Sequence, residues 1–356
     1  MSRLTTSLAL SAAAMALGFL AAGAHAQAPA TPPLQWAPAD AATSTPWAQV
    51  EGLARKEGRL VIYSGAATPA TLKPVIETFE KKYGVKVELL HGRPSETRER
   101  VRAEQAAGRV QADLLMDGAT LKVAAHVPHY VPHGELPNLQ RMKAPFKSDG
   151  TLMPAGIGRQ TVLMNTRLVK PGDEPKSWHD LLDPKWKGKI LTDDPRAPGA
   201  AVVVYDVLNE KVGRPFLDKL MTQEPVVINN ISVAERRVAQ GEYAFLLPVR
   251  IQSIPQLRGL PVKPMRAKEG DVYIVMAFAR IKGAPRPHAA RLFMNHFLEA
   301  DSQKALVRAA YTSVTGDIAE DLPADLREIA QSPLLGEADP NGADERRKAF
   351  HSLFAK

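Results

Sequence analysis

The chain of 356 residues contains no cysteine. Disulfides, thiolate metal sites and a lipidated export anchor are excluded together. Beyond the first residues there is no apolar run long enough to span a bilayer. No G-x-S-x-G elbow, P-loop or spaced G-x-G-x-x-G follows a strand pattern, and no nucleophile and base form a recognisable pair, so the common signatures of hydrolases and nucleotide enzymes are missing. The formal charge is +8 with a sequence pI near 9.5, yet no block of about five or six like charges occurs. The cations are interspersed with acids, as in "EKKYG" and "ADERRKAF", which reads as solvated surface and argues against nucleic acid as a partner.

What is present begins with an export pattern. Arg3, an apolar run from Leu8 to Ala22, and Ala24 and Ala26 flanking His25 give a signal peptide over residues 1–26, hence a periplasmic chain. Without Arg3 the mature charge is +7. Residues 27–43 are rich in Pro and Ala and read as a tether or surface-hugging arm. Thr45 and Pro46 open a helix that ends at Gly58; "RLVIYS" is a strand; Thr68 caps a helix from Pro69 that stops at Gly84. "VKVELLHG", "SETRERVRAEQAAGR" and "QADLLMDG" continue strand, helix, strand. The rhythm returns in "SWHDLLDPKWKGKI", expected as helix and turn, then in "ILTDD", "GAAVVVYDVLNEKVG", "PVVIN", "SVAERRVAQGE" and "YAFLLPV". "DVYIVMAFARI" is a strand and residues 287–310 carry one helical pattern. The alternation predicts an α/β fold of two lobes, each an open, mostly parallel sheet flanked by helices.

Ligands of such sheets gather beyond the carboxyl ends of the strands. Ser64, Gly65 and Thr68 lie there, at a helix N-terminus that favours anions, although an ordinary strand-to-helix turn is the competing reading. "PAGIGRQTVLMNT" offers Gly156 and Gly158 before Arg159, read as a glycine-arginine turn with a guanidinium for phosphate or carboxylate. Arg196 and Gly199 open another helix. Arg93 and Arg250 follow further strands. Tyr63 and Tyr273 offer an apolar wall or a hydroxyl, with core packing the alternative at Tyr273. His126, His129 and His133 could gather a transition metal, but the intervening Pro128 and Pro132 favour a surface loop.

Four strings, "EGRLVIYSGAATPATLKPVIETFEKKYGVKVELL", "RVRAEQAAGRVQADLLMDG", "LMNTRLVKPGDEPKSWHDLLDPKWKGKILTDDPRAPGA" and "VAQGEYAF", resemble the extracellular solute-binding proteins of ABC importers. The likeness is to those with the type II periplasmic-binding-protein fold, in the branch that includes ferric-ion-binding proteins. It implies two lobes joined by crossing strands that close on a solute in the cleft and dock on an inner-membrane permease. The implied lobes are 44–155 plus 270–308 and 156–269 plus 309–356. By position it implies a site at the Tyr63–Thr68 loop, Asp117 and Gly118, Gly158 and Arg159, and Arg196 through Ala200. The iron-binding branch has a tyrosine pair after the "GEYAF" position and often a histidine in the first loop. Here those segments read "LLPVRIQS" and "GAATPAT", so the hard-oxygen ligand set for ferric iron is incomplete. Arg250 turns the preference toward a negatively charged organic solute: a phosphonate, organophosphate or carboxylate. The expectation is a monomeric receptor without catalytic step, metal or cofactor. The rivals are a ferric receptor using an exogenous anion and an enzyme on the same scaffold. Arg159→Ala is expected to weaken solute binding by about 1.5–3 kcal/mol while leaving the melting temperature of the solute-free protein nearly unchanged.

Overall fold

The structure, a computed structural model, describes residues 34–356 apart from 198–199, 317–323, 325–326, 329–330, 338, 340, 342 and 355–356. The expected signal segment and the start of the arm lie outside the described residues.

α1 (Trp47–Glu57) stops at Gly58, whose φ of 70° is the left-handed conformation that glycine adopts without steric cost. β1 (Arg59–Ser64) leads to α2 (Pro69–Tyr83), where the Thr68 hydroxyl accepts the Thr71 N–H and Pro69 fills the first turn. β2 (Lys86–His91), α3 (Pro94–Ala106) and β3 (Leu114–Asp117) complete two parallel crossovers, with β1 between β2 and β3. α1 differs from expectation at its start, since Pro46 rather than Thr45 occupies the cap position and no side chain caps it.

After a short β4 (Tyr130–Val131) comes β5 (Leu152–Asn165), fourteen buried residues in one strand. "SWHDLLDPKWKGK" forms two 3-10 stretches, Trp178–Leu182 and Pro184–Trp186, instead of a helix. Pro184 removes a donor and its ring disfavours helical geometry at Asp183. The second crossover set is β6 (Ile190–Asp193), α4 (Ala200–Lys211), α5 (Arg214–Thr222), β7 (Val226–Ile228), α6 (Ile231–Gln240) and β8 (Phe245–Arg250). α5 was not expected from the sequence; its signal is Pro215 near the start with Phe216, Leu217 and Leu220 on the buried side. β9 (Val262–Pro264) precedes β10 (Asp271–Ile281). The pattern over 287–310 divides into α7 (Pro287–Phe297) and α8 (Ala300–Arg308), the break falling where the Glu299 carboxylate accepts from Lys82 Nζ at 2.8 Å. β11 (Leu334–Gly336) and α9 (Ala343–Leu353) end the described chain.

The main path of the sheet runs β2-β1-β3-β10-β5-β8-β6-β7. β10 and β5 are antiparallel to each other and shared by both halves. On one side a core forms where Phe79 of α2 meets Phe293 of α7 at 5.0 Å between rings and Phe278 of β10 meets Phe297 at 4.9 Å. On the other, Trp178, Tyr205, Phe216 and Phe245 form a second core. Each fully buried aromatic or aliphatic side chain contributes roughly 1.5–3 kcal/mol. The segment after α8 returns to the first core through Tyr311 and Val314, while Thr312 bridges to Ile157 of β5.

Residues 34–45 lie against the first half. Trp36 packs beside β1 and β10 side chains, and the Ala37 N–H donates to the Tyr130 carbonyl at 3.1 Å. Asp40 pairs at 2.7 Å with Arg280, which is 1% exposed, and Arg291 donates to the Ala42 and Thr45 carbonyls. Burial would raise the Asp40 pKa, but Arg280 and Thr43 outweigh it and hold it below the usual carboxylate range. Asp40→Asn is therefore expected to destabilise the fold by about 1–3 kcal/mol in urea unfolding, because the buried Arg280 loses the carboxylate it pairs with. A depressed acid stabilises above its unfolded pKa, so the wild-type advantage over the variant should shrink as pH falls through the carboxylate range.

Candidate functional site

Strand direction determines where the loops meet. β3 runs antiparallel to β10 and ends with Asp117 opposite Ala277. β8 runs antiparallel to β5 and ends with Arg250 opposite Gln160, which itself faces Val272. The carboxyl ends of the two parallel sets thus point at each other across the stretch of β10 between Val272 and Ala277, about 16 Å of strand. Between those ends Gly156–Arg159 of β5 pair with Tyr273–Met276 of β10. β11 lies beside β10 at Asp271 and Val272, and Glu337 accepts the Val275 N–H at 2.8 Å, filling the ladder gap between β11 and β3.

Several residues expected at the site serve the scaffold instead. Arg159 is not in a turn: it lies within β5, 3% exposed. Its Nη1 pairs with Asp271 at 3.1 Å and donates to the Ser332 carbonyl at 2.9 Å, while Nε donates to Thr312 at 3.0 Å. It ties both crossing strands to the returning chain, which corrects its reading as the anion-binding guanidinium. Gly158 is likewise strand, with Gln252 atoms 3.9 Å from where its Cβ would stand. Tyr63 points away from the cleft and donates to Glu104 at 2.6 Å beneath Arg100; burial first, then Glu104, pushes its pKa up to about 12. Asp117, 2% exposed, pairs with Arg98 on α3 and accepts the Gly118 N–H at 2.7 Å. Gly118 packs by Ile274, 3.1 Å from its would-be Cβ. Gly65 is small because a Cβ there would stand 2.7 Å from Pro94 Cα, so loop packing, not ligand approach, requires it. Ser64 is buried and its hydroxyl donates to the Ala67 carbonyl at 2.7 Å. Tyr273 packs edge-on against Phe146 at 5.7 Å.

Others stand at strand ends in solvent. Thr68 caps α2 and is exposed. The Arg93 side chain, 84% exposed, lies at the start of α3 near Glu96. Arg196 makes a two-point contact with Asp194 at 2.8 and 3.0 Å and lies over Phe354, so its charge is already answered. Ala200 begins α4, whereas Gly199 lies outside the described residues. Two of the three histidines take separate side-chain partners: His129 meets Gln105, and His133 lies between the Gly134 carbonyl and Ser148, each at 2.6 Å. Among the described residues no group of three or more His, Asp or Glu is placed to hold a metal ion.

Arg250 differs from all these. It is exposed at the end of β8, and its side chain makes no hydrogen bond or ion pair among the described residues. Asp193 at the end of β6, Glu235 on α6 and Tyr311 all feel its charge. Tyr311 also lies beside Thr71, on the first turn of α2. Burial, with Arg250 opposing, raises the pKa of Tyr311 and of Glu235. Sequence reasoning missed Thr71, Asp193, Glu235 and Tyr311; the position of Asp193 at a strand end was the one available signal.

The profile of the bacterial extracellular solute-binding proteins matches residues 75–333. The chain belongs to that family. An uncharacterised Haemophilus influenzae protein is 25% identical to this solute-binding protein over 323 residues, 85% of this chain and 91% of the other. Among solved structures, Trichodesmium FutA with iron and citrate superposes with a TM-score of 0.69 at 18% identity, covering 84% of this chain and 100% of that one. Actinobacillus pleuropneumoniae AfuA with fructose-6-phosphate gives 0.60 at 23%, covering 84% and 99%. These likenesses identify the fold as that of type II periplasmic binding proteins, as the sequence led us to expect.

Replacing Arg159 by Met should lower stability by about 3–5 kcal/mol in chemical unfolding, because Asp271, 2% exposed, is left without its cation. The double variant with Asp271→Asn should recover part of that loss. An unchanged melting temperature in the single variant would remove Arg159 from this structural role.

Proposed function

We propose that this solute-binding protein is the receptor of an ABC-type importer, taking a small anionic organic solute between its two halves and carrying out no chemistry. The observation that carries the reading is Arg250: an exposed guanidinium at the end of β8, without a hydrogen-bond or ion-pair partner among the described residues, in the neighbourhood of Tyr311. The starts of α2, α4 and α6 lie at the carboxyl ends of β1, β6 and β7, where helix dipoles favour negative charge. Closure about β5 and β10 would bring the Thr71 side to the Arg250 side and make the closed surface that a permease reads. Phosphonate, phosphate monoester and carboxylate are the solute classes that such a corner suits, and the sugar phosphate in AfuA agrees with a phosphorylated guest.

A ferric reading has support in FutA with iron and citrate and in the oxygen donors Asp193, Glu235 and Tyr311. Arg250 opposes it, since an unneutralised guanidinium repels a trivalent cation unless an anion enters first.

Arg250→Gln should weaken solute binding by about 1.5–3 kcal/mol in calorimetry with little change in the melting temperature of the free protein, the side chain being exposed. A thermal-shift screen of phosphonates, sugar phosphates, carboxylates and ferric salts supplies the ligand. Stabilisation by ferric salt alone, unaffected by Arg250→Gln, would overturn the anionic reading.

A further inference from the structure

The corner that holds Arg250 is not simply cationic. β6 and β8 are parallel neighbours, with Thr192 opposite Leu247, so Asp193 and Arg250 leave adjacent strand ends. α6 packs against β5, β6 and β8 and brings Glu235 to the same end, beside Ser253. Neither acid forms a direct ion pair with Arg250 among the described residues, although both lie within its field. Glu235 is 8% exposed, and its Oε1 has no hydrogen-bond partner among the described residues. A buried carboxylate oxygen left without a donor costs free energy, and native proteins rarely keep one unless something else satisfies it. Burial pushes both carboxyls up, against the Asp194 N–H that donates to Asp193 Oδ1 at 3.0 Å, Ser253 beside Glu235, and the Arg250 charge.

One guanidinium thus faces two carboxylates. A guest carrying only negative charge would gain from Arg250 and be repelled by Asp193 and Glu235. A hydroxylated anion would supply donors yet leave that repulsion in place. We propose that the solute is zwitterionic: its acid group meets Arg250, and an ammonium group a few bonds away donates to Glu235 and Asp193. This rests on the anionic-solute reading and narrows it. Glu235 then acts as the residue that separates amino acids and amino phosphates from plain acids, by giving the ammonium a buried acceptor and by penalising guests without one.

The test is calorimetry on the full mature protein with matched probes: O-phosphoethanolamine against ethyl phosphate and glycerol 3-phosphate, and β-alanine against propionate. In the acid class that binds, the amine should tighten binding by about tenfold or more, as expected for a charge-assisted hydrogen bond. Glu235→Gln should remove most of that preference while leaving the amine-free acid bound as well as before or better; Asp193→Asn, on a different element, should do the same in part. Equal affinity for ethyl phosphate and O-phosphoethanolamine, or a preference for glycerol 3-phosphate, would overturn the zwitterion and leave an anion receptor standing. An equal loss for amine and amine-free probes in Glu235→Gln would reduce Glu235 to a structural role and overturn it too. Failure of every acid, with or without amine, would sink the anionic-solute reading along with it.

Discussion

The antiparallel ladder between β5 and β10 is the constraint on which the other features depend. These strands belong to both cores, so whatever fixes their register fixes how the two sets of carboxyl ends face each other. Arg159 and Asp271 secure that register from within. Both are almost fully buried, and burial pushes the Asp271 carboxyl up to about 6 in spite of the guanidinium beside it. Such a pair is weak evidence for net stability, but removing either member would leave a bare charge in the interior. Its physical effect is to specify one arrangement of β5, β10 and the chain at Thr312 and Ser332.

The cleft follows from this arrangement without further design. A strand set that runs antiparallel to its partner across a shared pair of strands must aim its loops inward, and crossover helices begin at those loops. Most polar groups there are already satisfied by protein: Asp117 by Arg98, Arg196 by Asp194, Ser64 by Ala67. Among the described residues Arg250 is left with an unpaired guanidinium, with Asp193, Glu235 and Tyr311 in its neighbourhood, and the proposed recognition rests on that corner.

The sequence by itself determined the layers. Thr68 with Pro69, Gly58 and Gly84 mark helix ends through cap and left-handed chemistry that is local, and the alternation of strand and helix patterns implies parallel crossovers. Arg250 was legible for the same reason, as a cation directly after a strand. The tertiary structure alone decided the rest. Gly158 and Arg159 look like a ligand turn in one dimension, and only pairing with β10 shows a buried strand, because glycine and arginine have no strand signature of their own. Gly65 is small for the sake of Pro94, twenty-nine positions away, and Glu235 lies within the field of Arg250 only because α6 packs on β8. Local propensity is written along the chain, whereas the company a charge keeps depends on which distant strands become neighbours.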